Sequence, residues 1–544
     1  MTPRFQVVPA TTPQTVTLAL RVSREGSDGE PATPLSGALL EATLEEGRGR
    51  LERAFATTNA QGVASVTVAM PAEGDKTRVV VTLESDERSW LPFEVVSAPI
   101  VPVEMTAGEI EDMDVPRDGV LLRLPGDQAA EYFLIPHQTD LDRSGAAYRF
   151  LHQAGAPRPN QIGFGMRGPS VRPSQPVGLG DPGHVAAGAI TAEGLTPAAD
   201  IPGQVNIKSC GIEIERLAPL RYLGERIALY VDAPREQHQA RIDSLGRAFD
   251  QDIYATNTRL FGPTTDLDAN DRVLVILSPE LRSNVGIYCD TIRTFGVEAF
   301  YGRWTPSDPI DRALATLAHE HQHVINAGHH MQTRGAIGDE RWLNEGMSYA
   351  AEALNGYWGS ALIRVWAFLS GQNGGLPLLP LDYSPAFADE TMMFLLYLRD
   401  RFGPDMYLAL GRSGKAGVTN VEKVAGLPIE EILRDWFVAN AVSNRGLTDD
   451  PRYRYESVNL QGMGAEIAAC GCVPPGSFSG MNMEVLDLGA PFDVWRTLNT
   501  ADADYYRLRA GAPSDPVGGL APAYEVYYDA FGLQTTHLTI VRSR

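Results

Sequence analysis

The chain has 544 residues and is acidic, with 46 Lys and Arg against 68 Asp and Glu and a net charge of −22. This charge argues against a nucleic-acid partner, and no apolar run approaches the roughly 18 residues of a membrane span. At about 150 residues per domain, the length predicts about three to four domains. Met1 leads directly into polar sequence without a signal-type start. We therefore expect an exported protein whose signal segment has been removed, acting outside the cell or at its surface.

Residues 1–100 predict an all-β module. The runs Val16–Val22 and Ala64–Val68 alternate apolar and polar side chains, as half-buried strands do, and Asn59–Gly62 supplies the residues of a turn. We expect these strands to pair and to close into a β-sandwich.

A second β-rich region is predicted at 101–225, where apolar runs such as Gly119–Leu124 and Ala130–Ile135 are typical of strands. The region contains a stretch at about 155–204 that is rich in Gly and Pro. Such a composition supplies few side chains for a core, so we expect a loop or linker there.

From residue 226 to residue 450 the pattern changes to α+β. Ile227–Val231 and Arg272–Leu277 are apolar runs typical of buried strands, and Arg241–Thr256 between them has helical periodicity. Two later helices are predicted at Asp389–Arg401 and Pro428–Asn444. Short alternating runs then return and predict a C-terminal β domain at 451–544.

The most informative motif is the run H-E-H-Q-H at residues 319–323, within the α+β region. An amphipathic helix is predicted around it, ending near Gly328. Residues four apart lie on one helix face, so His319 and His323 can present two imidazole nitrogens to one point, with Glu320 close enough to reach a water there. This is the H-E-x-x-H pattern of zinc hydrolases, and it predicts one catalytic Zn²⁺.

A catalytic zinc needs three protein ligands, so the third must come from elsewhere in the chain. A second helix is predicted from about Asp339 to Asn355, and it carries Glu345, Tyr349 and Glu352 on one face. Two such helices would hold a single zinc between them. Glu345 is the first candidate for the third ligand.

The spacing also leaves a second candidate open. His329 completes the metzincin pattern H-E-x-x-H-x-x-G-x-x-H, with Asn326 in place of the glycine. The metzincin helix must break at that position, and asparagine tolerates the left-handed conformation required. Because this alternative leaves Glu345 without a role, we favour Glu345.

The two motifs together resemble a known family. Leu317–Asn326 (LAHEHQHVIN) and Arg341–Glu352 (RWLNEGMSYAAE) are similar to the H-E-x-Q-H-x-I-N and W-L-N-E-G pair of the hyicolysin family of bacterial gluzincin metallopeptidases. The resemblance covers roughly residues 205–445 and is strongest at 314–356. It implies a gluzincin-type zincin domain, flanked by the all-β modules of a multi-domain protein.

The resemblance also implies an activity, that of a secreted zinc metalloendopeptidase hydrolysing peptide bonds in protein or peptide substrates. It implies that His319, His323 and Glu345 are the zinc ligands. It also implies that Glu320 is the general base. In that family a strand beside the active helix pairs with the substrate backbone, and Val297–Tyr301 is the candidate here. The chain departs from the family at Phe387–Thr391, where members often have a Tyr-Gly-Ala segment whose tyrosine would stabilise the oxyanion.

Several other side chains are candidates to stabilise the oxyanion or to orient the zinc ligands: Tyr349, Glu352, Asn326, Tyr383 and His329. His321 is expected to point away from the metal. The four cysteines favour disulfides in an exported chain, with Cys210 and Cys289 as the expected pair.

Two further interpretations of function are open. A zinc aminopeptidase would need an acidic anchor for a free amino terminus, which Asp339 or Glu340 could supply. Alternatively, the β modules of a non-catalytic adhesion protein would carry the function. The segment Thr57–Val68, after Pro34–Ala38, resembles the bacterial Ig-like repeats of invasin-type adhesins, which implies a spacer role for residues 1–100.

Overall fold

The computed structural model describes residues 4–152, 201–281, 297–370, 387–463, 480–509 and 523–544, apart from short gaps at 10–13, 22, 25–32, 35, 72–74, 84–85, 117–118, 126–129, 142–145, 210–211, 233–237, 306, 336–338, 499–500 and 532–535. Within these ranges the chain has a mixed α/β architecture with several β-sheets and a largely helical region. The described α-helices lie between Gln239 and Val442, with β19 and β20 among them and the other strands before and after this segment.

The strands are β1 (Arg4–Pro9), β2 (Gln14–Arg21), β3 (Ser23–Arg24), β4 (Thr33–Pro34), β5 (Leu39–Glu46), β6 (Arg50–Leu51), β7 (Phe55–Thr57), β8 (Val63–Met70), β9 (Asp75–Leu83), β10 (Asp86–Ala98), β11 (Ile100–Pro102), β12 (Ile110–Asp114), β13 (Val120–Pro125), β14 (Glu131–Gln138), β15 (Ala146–His152), β16 (Gln204–Ser209), β17 (Ile212–Leu223), β18 (Ile227–Val231), β19 (Val273–Ser278), β20 (Ala299–Arg303), β21 (Glu484–Asp487), β22 (Phe492–Leu498), β23 (Asp502–Ala503), β24 (Tyr506–Arg509), β25 (Ala523–Phe531) and β26 (His537–Arg542). The helices are α1 (Gln239–Ala248), α2 (Tyr254–Phe261), α3 (Ile310–Arg334), α4 (Arg341–Leu354), α5 (Trp358–Leu369), α6 (Phe387–Phe402), α7 (Met406–Arg412), α8 (Gly417–Ala425) and α9 (Ile429–Val442). A π-helical turn, Phe249–Ile253, joins α1 to α2, and a short 3₁₀ helix, Pro451–Tyr453, follows α9.

Most of the N-terminal strands form two sheets around one core, and β3 and β4 pair in a separate two-stranded sheet. A five-stranded sheet has the order β1-β10-β9-β5-β7, and a three-stranded sheet has the order β2-β8-β6. Alternate side chains of β2 and β8, such as Val16 and Val66, are buried between the sheets. At the predicted turn, the Asn59 side chain accepts hydrogen bonds from the backbone N–H groups of Gln61 and Val63.

A second β-sandwich combines strands from two distant parts of the chain. Its sheets have the orders β11-β13-β25-β15-β22 and β12-β26-β14-β24-β21, with β23 paired to β14. Ile110 of β12, for example, lies opposite Val541 of β26. The division expected from sequence, into separate modules at 101–225 and 451–544, differs from this arrangement, because strands from both regions hydrogen-bond in shared sheets.

Another sheet, of order β16-β17-β18-β19-β20, begins the α+β region, and β18, β19 and β20 run parallel. Every residue of β18 and β19 is buried, as expected for parallel strands covered on both faces. On one face Leu229 and Val275 pack with Leu317 of α3, whereas Tyr230 and Ile276 belong to a core on the other face. The sheet therefore supports the helix that carries the H-E-x-x-H motif.

Helices α4 to α9 pack around one core that extends into the second sandwich. Phe133 of β14 and Val541 of β26 are buried in the same cluster as Leu395 of α6 and Trp436 of α9. The helical region and the second sandwich therefore share part of their apolar interior. Among the described helices, none is both long enough and apolar enough to cross a bilayer.

A group of charged and aromatic side chains lies where α9 meets the second sandwich. The rings of His137 and His537 stack with centroids 5.4 Å apart, and His137 Nε2 is 3.3 Å from an oxygen of Asp112. Arg434 of α9 donates a hydrogen bond of 3.2 Å to Asp112. Burial lowers the pKa of both His137 and His537, so both imidazoles are neutral at this junction near neutral pH.

Three groups of sequence predictions lie outside the described residues. These are the Gly/Pro-rich loop at about 155–204, except for its last positions from 201, all four cysteines, and Tyr383. The expected disulfide between Cys210 and Cys289 therefore stays a prediction.

Candidate metal centre

Helix α3 carries the H-E-x-x-H motif and is longer than the sequence predicted. It continues to Arg334 and ends at Gly335, whose φ of 65° lies in the left-handed region that glycine favours. The prediction that the helix ends near Gly328 was wrong. Gly328 instead lies inside the helix where Thr265 packs against it so closely that a Cβ atom would overlap the threonine side chain.

Helix α4 runs alongside α3 and supplies the remaining polar groups. It spans Arg341–Leu354, within the predicted segment. Gly346 allows α4 to approach α6 closely, because a Cβ atom there would lie 2.8 Å from Leu395 Cδ2 and 3.1 Å from the Thr391 carbonyl oxygen. The W-L-N-E-G segment thus combines a polar face toward α3 with a glycine contact on the other side.

The two helices bring His319, His323 and Glu345 together. One donor atom from each lies within 4.8 Å of the other two, and no other such group of three potential ligands occurs in the part of the chain that the structure describes. His319 Nε2 is 3.5 Å from Glu345 Oε2, and His323 Nε2 is 3.9 Å from Glu345 Oε1. Ligands around a tetrahedral zinc with bonds of about 2.0–2.1 Å are roughly 3.3 Å apart, so the three donor atoms, which lie within 4.8 Å of one another, would move closer together to bind this ion.

The neighbouring Glu320 is almost completely buried, with 1% of its surface exposed. Its Oε2 atom has no hydrogen-bond partner among the described residues. Burial raises the pKa of Glu320 to about 7, with the positive charge of His319 opposing this effect and the charges of Glu345 and Glu352 adding to it. A carboxylate with a pKa near neutral can both accept and release a proton at physiological pH.

Two of the three candidate ligands, His319 and Glu345, already form a charged pair. Burial by itself would lower the pKa of His319, but hydrogen bonds to Glu345 and Glu352 hold that pKa well above 6.5. Burial likewise opposes ionisation of Glu345, but the nearby His319 and His323 outweigh it and lower its pKa to about 2. For His323 burial dominates and lowers the pKa to about 4. A divalent cation would therefore replace the proton of His319 in a cluster arranged for positive charge.

Side chains behind the cluster contact two of the ligands. Glu352 accepts a hydrogen bond from His319 Nδ1 at 2.9 Å, which leaves Nε2 directed toward Glu345. The orienting role that the sequence suggested for Glu352 stays a prediction, and this contact is the geometry on which it depends. Ser348 donates to Gln322, and its oxygen lies 3.0 Å from Nδ1 and 3.2 Å from Nε2 of His323.

Tyr349 lies beside the cluster rather than behind it. Its ring meets the His319 ring edge-on at 4.8 Å, and the Arg364 guanidinium lies 3.9 Å from the ring centroid. Burial is the main cause that raises the pKa of its hydroxyl, which therefore stays protonated. Tyr349 is thus a candidate to stabilise the oxyanion that directly contacts a candidate ligand, His319.

The alternative ligand His329 points elsewhere. Its Nε2 atom is 2.9 Å from the carbonyl oxygen of Pro263, and it does not belong to the three-donor group. Helix α3 also passes through Asn326 without the break that the metzincin geometry requires. Asn326 donates a hydrogen bond of 2.7 Å to the side chain of Asn344. This bond joins α3 to α4, and its acceptor is not one of the candidate ligands.

The histidine expected to point away from the metal is His321. It is fully buried, stacked on Tyr254 at 5.2 Å and tilted against Phe249 at 4.9 Å. Burial lowers its pKa to about 3, so its ring acts as a neutral core side chain.

Sequence reasoning did not single out Ser348 or Gln322. Ser348 follows Glu345 by three residues, so helical spacing alone could have placed it on the same face. Its partner Gln322 depends on how far α3 and α4 are shifted along one another, and local sequence does not encode that shift.

Comparison with known proteins adds no evidence about the function of this chain. No protein-family model matches the chain, and no curated protein matches it. The functional interpretation therefore depends on the arrangement of α3 and α4 and on the motif resemblance.

Proposed function

We propose that the protein is a secreted, zinc-dependent metallopeptidase whose catalytic domain is of the gluzincin type. The observation that carries the proposal is the convergence of His319, His323 and Glu345 next to the buried carboxylate of Glu320, whose Oε2 atom has no hydrogen-bond partner among the described residues. Two imidazoles and one carboxylate are the ligand set of open catalytic zinc sites, which keep one position for water. Outside such a site, leaving the Oε2 atom of Glu320 buried without a hydrogen-bond partner would be costly.

The proposed mechanism assigns separate tasks to these residues. Bound zinc would supply a Lewis acid that polarises the scissile carbonyl and acidifies the attacking water. Glu320, buried next to His319, would accept the proton of that water and pass it to the leaving amine. Glu352 keeps His319 in the orientation that directs Nε2 toward the ligand position. Tyr349, in contact with His319, is our candidate to donate a hydrogen bond to the developing oxyanion.

The remaining modules fit a protein that acts outside the cell. We propose that the N-terminal sandwich is an Ig-like spacer, by its resemblance to adhesin repeats. Strand β20, at the end of its sheet among the described strands, includes part of the predicted substrate-pairing segment Val297–Tyr301. Its pairing with an extended peptide would provide sequence-independent contacts to the substrate backbone.

The aminopeptidase alternative receives little support from its two candidate anchors. Asp339 is paired with His330 at 3.3 Å and accepts a hydrogen bond from the backbone of Gly417, with its side chain fully buried. Glu340 accepts a hydrogen bond from Trp342. Both carboxylates therefore have structural partners, and we propose an endopeptidase.

The test is the substitution Glu320→Gln, which keeps the size of the side chain but cannot accept a proton. Cleavage of a random peptide library should fall by about 100- to 10,000-fold, while zinc stays bound at about one ion per chain. Asp311→Asn, at an exposed position of the same helix, is the matched control and should retain full activity. Chelator-sensitive cleavage at the wild-type rate by Glu320→Gln would refute the mechanism, and a wild-type protein without zinc or cleavage would refute the proposal.

A further inference from the structure

The interface between α3 and α4 is held by polar contacts along its length. Three side-chain pairs join α4 to α3: Asn344 with Asn326, Ser348 with Gln322, and Glu352 with His319. As the residue number increases along α4, the residue number of its partner on α3 decreases. The helices are therefore antiparallel, and each contact depends on the same relative shift.

At the C-terminal end of α4, the link to α3 is made through α2. Asn257 of α2 donates to the backbone carbonyl of Ala318 on α3 at 2.8 Å and accepts from the side chain of Asn355 at 2.7 Å. Asn355 follows the last residue of α4 and also donates to the carbonyl of Ala351 at 2.8 Å. These two side-chain amides form a relay from the backbone of α3, directly beside His319, to the backbone at the end of α4.

The relay is buried at Asn257 and partly buried at Asn355. Asn257 is fully buried, and both its carbonyl oxygen and its amide group are engaged. Both N–H bonds of the Asn355 amide have acceptors as well. Apolar contacts tolerate small shifts between helices, whereas buried hydrogen bonds are directional and costly to leave unmade. Moving α4 by even part of its turn, which rises about 5.4 Å, would break the relay.

We propose that Asn257 and Asn355 are positioning residues of the metal centre. They fix the shift of α4 along α3, and this shift decides how far the Glu345 carboxylate lies from the two imidazoles. Neither asparagine touches a candidate ligand, so each acts through the helices. This inference depends on the proposed function, because it concerns the geometry of the same zinc site.

Two substitutions interrupt the relay at different points. Asn257→Leu removes both bonds at a fully buried position and keeps the branching and the number of heavy atoms of the side chain. Asn355→Ala removes only the link to α4, at a partly exposed position where loss of folding is not expected. The matched control is Asn440→Leu on α9, because Asn440 is equally buried but bonds to Tyr455 and Tyr505.

The measurements are zinc affinity by chelator competition, the visible spectrum of the cobalt-substituted protein, and kcat and KM for a cleaved peptide, all on the full chain. Both relay variants should bind zinc about 10- to 100-fold more weakly, with a changed cobalt spectrum and a reduced kcat at similar KM. The control should lower the melting temperature but leave the zinc affinity and the cobalt spectrum unchanged.

Three results would overturn the inference. Wild-type zinc affinity and an unchanged cobalt spectrum in Asn355→Ala would show that the relay does not position the ligands, even if Asn257→Leu fails to fold. An equal loss of affinity in Asn440→Leu would show a general effect of destabilisation. A wild-type protein that binds no zinc would overturn the proposed function, and this inference with it.

Discussion

The hydrogen bond between Glu352 and His319 offers a graded test of the metal centre. Glu352→Gln keeps an acceptor 2.9 Å from His319 Nδ1 but removes its charge, whereas Glu352→Ala removes the acceptor. Both side chains are nearly buried, with 9% and 8% exposed, so solvent screens the interaction little. A hydrogen bond to a charged group contributes about 1.5–3 kcal/mol and a neutral one about 0.5–1.5 kcal/mol. The difference, about 1 kcal/mol, corresponds to roughly fivefold weaker zinc binding for Glu352→Gln.

The alanine variant should lose more, because His319 also loses the partner that fixes its ring. Loss of such an outer partner typically weakens metal binding by about 10- to 100-fold. Zinc affinity, measured by chelator competition at one fixed pH, should therefore rank wild type above Glu352→Gln and Glu352→Ala last. Glu430→Gln, at an exposed position of α9, should match the wild type. Equal affinities across the series, or tighter binding by Glu352→Ala, would show that this hydrogen bond does not orient a zinc ligand.

Two further predictions concern the third ligand and the effect of pH on stability. Glu345→Ala should lose zinc and peptide cleavage together, whereas His329→Ala should retain the metal; the opposite outcome in metal analysis would favour the metzincin alternative. Because burial lowers the pKa of His137, the unfolded state binds more protons below about pH 6.5, and stability should be lost there by up to about 1.4 kcal/mol per pH unit from this residue. Urea unfolding from pH 8 to pH 5 should show this slope, and His137→Gln should reduce it; an unchanged slope would contradict the assignment.

The candidate ligands could be predicted because their geometry is largely local. His319 and His323 are one helical turn apart, so any helix through the motif brings them to one face. Glu345 depends on a second helix, and its helical spacing with Glu352 placed both carboxylates on one side. The structure brings all four residues to one place. The activity that this arrangement would support stays a prediction.

The end of α3 illustrates where local signals fail. A glycine after an amphipathic run usually marks a helix end, and Gly328 was interpreted in that way. In the structure the glycine is required by the close approach of Thr265, a contact between residues far apart in sequence. Steric demands from tertiary packing and from a helix end select the same residue type, so sequence alone does not distinguish them.

Strand partners were equally hidden. Alternation of side chains indicates which face of a strand is buried, but it does not identify the neighbouring strand. β12 and β14 both pair with β26, about 400 residues away, so the second sandwich forms only when both parts of the chain are present. A module boundary drawn from composition near residue 450 cannot detect such pairing.

This topology has a consequence for the proposed peptidase. The residues from β16 to the end of α9 leave the second sandwich after β15 and return to it at β21, so the sandwich holds both ends of the α+β region. The helical core is completed by Phe133 and Val541 from the sandwich, and Arg434 links α9 to Asp112 of β12. A fragment limited to residues 226–450 would expose that apolar surface and remove the β16–β17 pair from the sheet beneath α3. The geometry of the metal centre therefore depends on strands that lie far outside the segment containing its motifs.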